Sequence, residues 1–301
     1  MFRITHSLDN KCDLPGLIRE ALGFHLKKVL AGTLTLKIPK PTGWMKTIPG
    51  MPIHFTPELF VQLAGINAFE CPHERFNLYP GQLCVMPRGM PHRETIKLVR
   101  GQFGMLVFVY NVQESYFVLC GGAQGEHPRA IKSMNIHYPR VLRMAEYLED
   151  MTQVLHGGGR NTRGIAQSLL AAHLGEILNV MASDLGAHRD EPYKITQVKQ
   201  LMVSRLSDPD LGVRKLAELV ECAPDYLSYL FHKWTGNTLS DTINRYRMSQ
   251  AQYLLQHSNK NIKEIAAAAG FADSDYFGRL FRHATGQTPT GYRRNISATL
   301  S

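Results

Sequence analysis

A short segment near the carboxyl end places polar side chains opposite an apolar face. In residues 274–286, SDYFGRLFRHATG, apolar residues recur at intervals of three and four positions, as in an amphipathic helix. The opposite face carries Ser274, Asp275, Gly278, Arg279 and Arg282. Arg279 can donate two hydrogen bonds to O6 and N7 of a guanine, the commonest base-specific contact in the major groove. A solvated or phosphate-bound arginine is the alternative interpretation.

A second segment repeats this pattern about fifty residues earlier. Residues 224–236, PDYLSYLFHKWTG, carry Asp225, Ser228, Tyr229 and Lys233 opposite their apolar face. The first three side chains offer base edges only single or repulsive contacts, so we expect this segment to contribute shape fit and phosphate contacts. The basic residues suited to neutralising phosphates are Lys233, Arg282, Arg293 and Arg294.

Two histidines and an arginine form a third candidate set in the amino-terminal half. His92 closes residues 81–92, GQLCVMPRGMPH, which include Arg88 and have the spacing G-x5-P-x-G-x2-H. His54 begins the earlier run HFTPELF. Imidazoles can hydrogen-bond a small ligand or ligate a metal ion. A turn histidine bonded to the backbone is the alternative for His92.

The two polar segments near the carboxyl end belong to a duplicated unit. Residues 213–238 and 262–288 align at an offset of 49 or 50, and each has a short helix, a tight turn and a second helix ending in Thr-Gly. This is the pattern of a helix-turn-helix unit, which presents its second helix to the major groove. Residues 239–257 are predicted to form one connecting helix about 27 Å long. With its flanking turns, this spacer would place the recognition helices about one DNA turn apart, roughly 34 Å.

Three stretches within residues 195–294 carry a family resemblance: the two units, the connecting RYRMSQAQYLL and the closing GFADSDYFGRLFRHATGQTPTGYRR. They resemble the AraC/XylS family of bacterial transcription regulators. The resemblance implies binding to double-stranded DNA, activation through RNA polymerase, pairing into a homodimer, and a small-molecule effector such as a sugar or related metabolite. By position, it places the base contacts at Asp225, Ser228, Tyr229, Ser274, Asp275, Gly278 and Arg279.

The amino-terminal half is predicted to be all-β. From about residue 24 to residue 118, short β-branched or aromatic runs alternate with Gly and Pro. Short strands with frequent turn signals are typical of a sandwich or barrel.

The spacing G-x5-P-x-G-x2-H resembles the second motif of cupins, small barrels that often bind metals or small ligands. His92 falls at the metal-ligand position of that motif. In the region of the partner motif His54 is present, but Thr56 and Phe60 stand at the other ligand positions. We therefore predict no metal site and no cofactor, since one or two histidines without a carboxylate make a poor ligand set. His54, Arg88 and His92 are assigned instead to an effector pocket.

Two helical patterns follow, at residues 137–155 and 163–185, separated by a run of three glycines. The second carries a wide apolar stripe, part of which must pack on the barrel. The remainder would form either a dimer seam or ordinary intramolecular packing. Residues 186–193, GAHRDEPY, are polar with Gly and Pro and are predicted to be the interdomain linker.

Composition narrows the class of protein. The 301 residues carry a net charge of +9, a modest excess that suits a polyanion partner. The amino terminus lacks an apolar signal core, and the longest apolar stretch, around residues 103–110, is too short to span a membrane. Five cysteines without a C-x-x-C pair argue against a disulfide framework. We expect a cytoplasmic protein with buried thiols and no membrane partner.

The sequence thus predicts an α+β protein of two domains. Residues 1–185 would form a cupin-like effector domain with flanking helices, residues 186–193 the linker, and residues 194–301 an all-α DNA-binding domain. The predicted function is sequence-specific, ligand-responsive regulation of transcription, without enzymatic activity. The alternatives are a cupin-type metal-dependent enzyme fused to a DNA-binding module and a ligand-independent nucleoid-type binder.

Overall fold

The chain divides into two units, Met1–Glu191 and Pro192–Ser301. The computed structural model describes residues 5–41, 48, 51, 54, 56–110, 115–136, 141–182 and 192–300. Most of the predicted linker and the end of the predicted second helix, residues 183–191, lie outside the described residues.

The amino-terminal unit begins with helix α1 (Leu14–Leu30), where strands were predicted from about residue 24. Asp13 caps this helix by accepting a hydrogen bond from the backbone N–H of Gly16 at 3.2 Å. Its buried residues recur at helical intervals: Leu14, Leu17, Ile18, Ala21, Leu22, His25 and Val29. The prediction was wrong for residues 24–30 because the β-branched residues that suggested a strand begin at Thr33, beyond the end of the helix.

Nine strands within the described residues form two sheets. Their bounds are β1 (Leu36–Lys37), β2 (Glu58–Ala64), β3 (Ile66–Glu70), β4 (Arg75–Leu78), β5 (Leu83–Met86), β6 (Arg93–Lys97), β7 (Gly104–Tyr110), β8 (Ser115–Gly121) and β9 (Arg129–Ile136). The larger sheet has the order β1-β5-β2-β7-β8-β9, and the smaller has the order β4-β3-β6. The prediction of a β-rich amino-terminal part is confirmed.

Strand β2 at the centre of the larger sheet is buried on both faces. Leu59 and Val61 pack in a core formed with the helices of this unit. Phe60, on the opposite face, packs with Phe69 of the smaller sheet. Because successive side chains of a strand point to opposite faces, Glu58 shares the face of Phe60 and points toward the smaller sheet. A carboxylate is thereby placed between the two sheets.

Helices α2 (Val141–His156) and α3 (Thr162–Ala182) complete the amino-terminal unit. His173 of α3 is fully buried. Its Nδ1–H donates to the carbonyl of Met144 at 3.0 Å, and its Nε2 accepts from the Tyr110 hydroxyl at 2.8 Å. By length and composition α3 could cross a membrane, but its buried residues form one core with α1 and α2. Intramolecular packing therefore accounts for much of the apolar stripe, and pairing of protomers stays a prediction.

The carboxyl-terminal unit is all-helical over its described residues. Its helices are α4 (Tyr193–Ser204), α5 (Val213–Leu219), α6 (Pro224–Thr235), α7 (Leu239–His257), α8 (Ile262–Ala268), α9 (Ser274–Thr285) and α10 (Pro289–Leu300). Helices α5 and α6 form the first helix-turn-helix unit, and α8 and α9 form the second. The long helix predicted between the units is α7.

Local capping explains why these helices begin and end where they do. Gly236 and Gly286 follow α6 and α9 with φ of 70° and 75°, a left-handed conformation that glycine adopts without strain. At the start of α8, the Asn261 side chain accepts from the Glu264 backbone at 2.9 Å, and the Glu264 carboxylate accepts from the Asn261 backbone at 2.8 Å.

The turn after α8 is held against the loop that follows α4. Gly270 has φ of 84°, and a Cβ there would press on the carbonyl oxygen of Leu206 and lie 2.8 Å from Arg247 Nε. Arg247, on α7, donates to the carbonyls of Leu206 at 3.3 Å and Asp208 at 2.7 Å. The buried Arg247 guanidinium thus joins α7, this turn and the loop after α4. These contacts fix the position of the second helix-turn-helix unit.

Candidate nucleic-acid interface and histidine–carboxylate cluster

Helix α6 buries one face and exposes the other. Leu227 and Phe231 are buried in the domain core, whereas Tyr229 is 63% exposed. Lys233 is exposed one turn further on, with its Nζ 5.8 Å from the centre of the Tyr229 ring. Asp225 is also exposed, at the first turn of the helix. Tyr229, Lys233 and Asp225 therefore offer an aromatic, a cationic and an acidic group to a partner.

Ser228 lies on the same side of α6, but its hydroxyl is already engaged. The Oγ–H donates to the carbonyl of Pro224 at 2.9 Å. The hydroxyl proton is therefore committed to the backbone, and Ser228 faces a partner mainly through its oxygen lone pairs.

Helix α9 has the same construction with more positive charge. Phe277 and Phe281 are fully buried. Arg279 and Arg282 are exposed, and the Arg279 guanidinium lies 6.0 Å from the centre of the Tyr276 ring. This contact extends the arginine along the outward face, where it can donate to a base edge or a phosphate.

Gly278 leaves an opening beside Arg279. A Cβ at this position would meet no atom within 4 Å. Asp275 is exposed and Ser274 half-buried at the start of the helix. The Asp273 carboxylate accepts from the backbone N–H groups of Asp275 at 2.7 Å and Tyr276 at 2.8 Å. A side chain of this protein therefore already occupies the amino-terminal donors of α9.

The basic residues predicted to contact phosphates differ in their availability. Lys233, Arg282 and Arg294 are exposed. Arg293 is half-buried, and its Nε donates to the carbonyl of Leu255 on α7 at 3.4 Å. Arg293 thus joins α10 to α7 in addition to any phosphate contact.

Two exposed tyrosines on these helices were not among the residues that the sequence analysis assigned to the DNA interface. Tyr226 is 52% exposed and Tyr276 is 45% exposed. They occupy equivalent positions in the two units, each immediately before a buried residue of the recognition helix. The recurrence of a tyrosine at this position in both helix-turn-helix units could have indicated an exposed role. The sequence analysis assigned it neither to the buried face nor to the outward face.

In the amino-terminal unit, His54 and His92 lie together with a carboxylate between them. Their ring centres are 5.3 Å apart. Glu58 Oε1 lies 3.4 Å from His54 Nδ1, and Glu58 Oε2 lies 3.7 Å from His92 Nε2. Glu94, from β6 of the smaller sheet, places its Oε1 3.9 Å from the same His92 nitrogen. We call these four residues the histidine–carboxylate cluster.

The ligand count made from the sequence was therefore incomplete. Thr56 and Phe60 stand at the remaining ligand positions of the cupin motif, and neither is a carboxylate. The structure brings Glu58 between the two histidines because it shares the inward face of β2 with Phe60. Phe60 instead forms part of the cluster's wall, with its ring centre 5.9 Å from that of His92.

Burial shapes the electrostatics of the cluster. It raises the pKa of the Glu58 carboxyl well above its usual range, and the nearby Glu94 carboxylate raises it further. Burial lowers the pKa of His92, an effect that Glu94 opposes. It also lowers the pKa of His54 to about 3, with His92 and His127 adding to the effect. The site therefore disfavours an uncompensated charge on any of these three groups.

Arg88, the third residue assigned to the effector pocket, forms an ion pair with Glu149 of α2. It lies in the turn that leads to His92. In the same turn, the backbone N–H of Gly89 donates to the carbonyl of His54 at 2.8 Å. This bond fastens the His54 segment to the turn, and the Arg88 ion pair fastens the turn to α2.

Residues 216–295 match a family model described as a helix-turn-helix domain. The transcriptional activator RhaR of Cronobacter sakazakii is 34% identical over 124 residues, which are 41% of this chain and 38% of that protein. The regulatory protein PocR of Salmonella typhimurium is 36% identical over 104 residues, 35% of this chain and 34% of that protein. The carboxyl-terminal unit is an AraC/XylS-type DNA-binding domain. The prediction of a DNA-binding domain of this type over the carboxyl-terminal residues is confirmed by these matches.

The chain matches only about a third of the length of these relatives. Solved structures similar to this AraC/XylS-type unit include the C-terminal domain of AraT from Geobacillus stearothermophilus, 28% identical with a TM-score of 0.35, covering 36% of this chain and 88% of that one. The DNA-binding domain of AdpA in complex with a target DNA is 24% identical with a TM-score of 0.34, covering 35% of this chain and 95% of that one.

Proposed function

We propose that this chain is a ligand-responsive transcription activator that reads two successive major grooves through α6 and α9. The observation that carries the proposal is the pair of outward faces on these helices. Each exposes polar and basic side chains, while its opposite face closes the core of its own unit. Helix α7, with 19 residues, is about 28 Å long and matches the separation of neighbouring major grooves once its turns are added.

In this proposal, the two recognition helices contribute unequally to sequence recognition. Arg279 makes a bidentate contact to guanine, with Ser274, Asp275 and Gly278 at the same groove. Asp225, Ser228 and Tyr229 contribute shape fit, and Lys233, Arg282, Arg293 and Arg294 contact phosphates.

The amino-terminal domain senses a small molecule, such as a sugar or related metabolite, near His54, Arg88 and His92. The effector acts by binding one arrangement of the protein better than another, because equal affinity for both would shift nothing. A cytoplasmic homodimer that contacts RNA polymerase is the form in which such an activator would work.

The test compares Arg279→Ala with Lys233→Ala on a duplex selected from a random library by the wild-type chain. Arg279→Ala is expected to cost about 1–3 kcal/mol on the selected site and to relax the preference at one base pair. Lys233→Ala is expected to weaken selected and random DNA alike and to reduce the salt slope by about one. Lys233 is the matched control because it is also an exposed cation on a recognition helix.

Equal losses on selected and random DNA for Arg279→Ala would make Arg279 a phosphate contact and overturn the assignment of base reading. If no duplex is enriched from the library at low salt, the proposal that the chain reads sequence fails as a whole.

A further inference from the structure

In the histidine–carboxylate cluster, His92 turns a hydrogen-bond acceptor toward two carboxyl groups. The Nδ1 of His92 lies 3.0 Å from the carbonyl of Met90. A carbonyl only accepts, so this nitrogen carries the proton and Nε2 of the neutral ring presents a lone pair. That lone pair faces the carboxylate oxygens of Glu58 and Glu94. Glu58 Oε2 is buried and has no hydrogen-bond partner among the described residues.

The distances within the cluster favour a shared cation over direct hydrogen bonds. The separations of 3.4 Å and 3.7 Å between Glu58 and the two histidines exceed the usual hydrogen-bond range of about 2.7–3.2 Å. Two ligand atoms bound tetrahedrally to one metal ion at about 2.0–2.2 Å are separated by roughly 3.3–3.6 Å. One ligand atom each from His54, Glu58 and His92 can be chosen so that all three lie within 4.8 Å of one another.

We propose that His54, Glu58 and His92 bind a divalent transition-metal ion of the zinc or iron class. Two imidazoles and one carboxylate suit these ions, whereas magnesium and calcium prefer oxygen ligands alone. The ligands are held as a metal site requires. Met90 fixes the ring of His92, and the Gly89–His54 backbone bond at 2.8 Å holds the first ligand segment against the turn.

Glu94 and Asn67 form the surrounding shell of this site. Asn67 Nδ2 donates to Glu94 Oε2 at 2.6 Å, which leaves Glu94 Oε1 directed toward His92. Both residues are buried. The second carboxylate adds negative charge beside the ion without belonging to the three-residue ligand set.

Three protein ligands leave coordination positions open. His54 is the most accessible ligand, with 20% of its side chain exposed, so an open position on its side could take an oxygen atom of an effector. This part of the inference rests on the proposed function, because it makes the ion part of effector recognition. Binding of the metal itself does not depend on it.

The experiment uses the full chain without an affinity tag, stripped with a chelator and titrated with Co²⁺ followed by Zn²⁺. One equivalent of Co²⁺ per chain is expected, with visible absorption bands that Zn²⁺ abolishes. Glu58→Gln and His92→Gln are expected to weaken binding at least about 100-fold, and Asn67→Leu about 10-fold, as losses in the surrounding shell commonly do. His73→Gln is the matched control, since His73 is an exposed histidine outside the cluster. It should bind like the wild type.

Each outcome decides the proposal. Less than a tenth of an equivalent bound by the wild-type chain overturns it, as does equal binding by wild type and Glu58→Gln. Circular dichroism identifies a variant that has not folded, and the wild-type stoichiometry then decides alone. DNA binding measured with and without the chelator separates the two proposals. Failure to bind DNA under both conditions would contradict the proposed function, whereas DNA binding by a chain that binds no metal would contradict only the metal site.

Discussion

Two glycines in the second helix-turn-helix unit should respond in opposite ways to the same substitution. Gly270→Ala forces a left-handed backbone, at a cost of about 1–2 kcal/mol. Its Cβ would also displace the Leu206 carbonyl and crowd Arg247 Nε, 2.8 Å away. The two carbonyl bonds of Arg247 are charge-assisted and worth about 1.5–3 kcal/mol each. We expect a loss of at least about 2.5 kcal/mol, even if only one of these bonds breaks.

Gly278→Ala is the control, because a Cβ there meets nothing within 4 Å and the residue is helical. Alanine should stabilise the unit by about 0.5–1 kcal/mol. The assay is urea unfolding of residues 191–301 followed by the fluorescence of Trp234, one of two tryptophans in the chain and the only one in this fragment. A loss below about 1 kcal/mol for Gly270→Ala would refute the reasoning from its contacts. A loss for Gly278→Ala would refute the reasoning from its open surroundings.

Three further predictions concern the amino-terminal and carboxyl-terminal units of the chain. Residues 191–301 alone should fold and bind duplex DNA with an affinity that falls steeply with salt, as measured by fluorescence anisotropy; an unfolded fragment would contradict the domain assignment. Alanine at His54 or His92 should weaken the effector response of a promoter fusion without weakening DNA binding by the full chain, and a full response in both variants would exclude these histidines from effector recognition. Burial lowers the pKa of His173 from 6.5 to about 4, so its contribution to stability is complete above pH 6.5 and falls by about 3 kcal/mol as the pH drops toward 4. Urea unfolding at pH 7 and pH 4.5 should show this loss reduced in His173→Gln, and an identical acid loss in wild type and variant would exclude His173 as its source.

The two helix-turn-helix units and the helix between them could be predicted almost to the residue because their signals are local. Thr-Gly endings, a proline at the start of α6 and a polar outward face are readable within a dozen residues. The predicted connecting helix and α7 share the same bounds, residues 239–257. The buried partners of Arg247 could not be predicted, because they lie about forty residues away in the loop after α4.

The amino-terminal unit was harder to predict because several of its strands, including β2, β7 and β8, are buried on both faces. The run ELFVQLA in β2 has no alternation that shows which residues face the second sheet. Glu58 therefore looked like an isolated carboxylate in an apolar segment. Its approach to His92 depends on the turn at Gly89 and on the second sheet. The spacing of residues along the sequence shows neither feature.

The separation of faces on α6 and α9 has a consequence for how the proposed regulator could change its DNA target. The outward residues contribute little to the core, since the buried contacts of each helix belong to Leu227 and Phe231 or to Phe277 and Phe281. Substitutions on the outward faces should therefore be thermodynamically inexpensive, within about 0.5 kcal/mol for ordinary surface changes. Substitutions in one helix-turn-helix unit could thus change the preferred DNA sequence while the other helix-turn-helix unit still binds the original site. The duplicated domain is in this respect a scaffold well suited to retargeting by selection or by design.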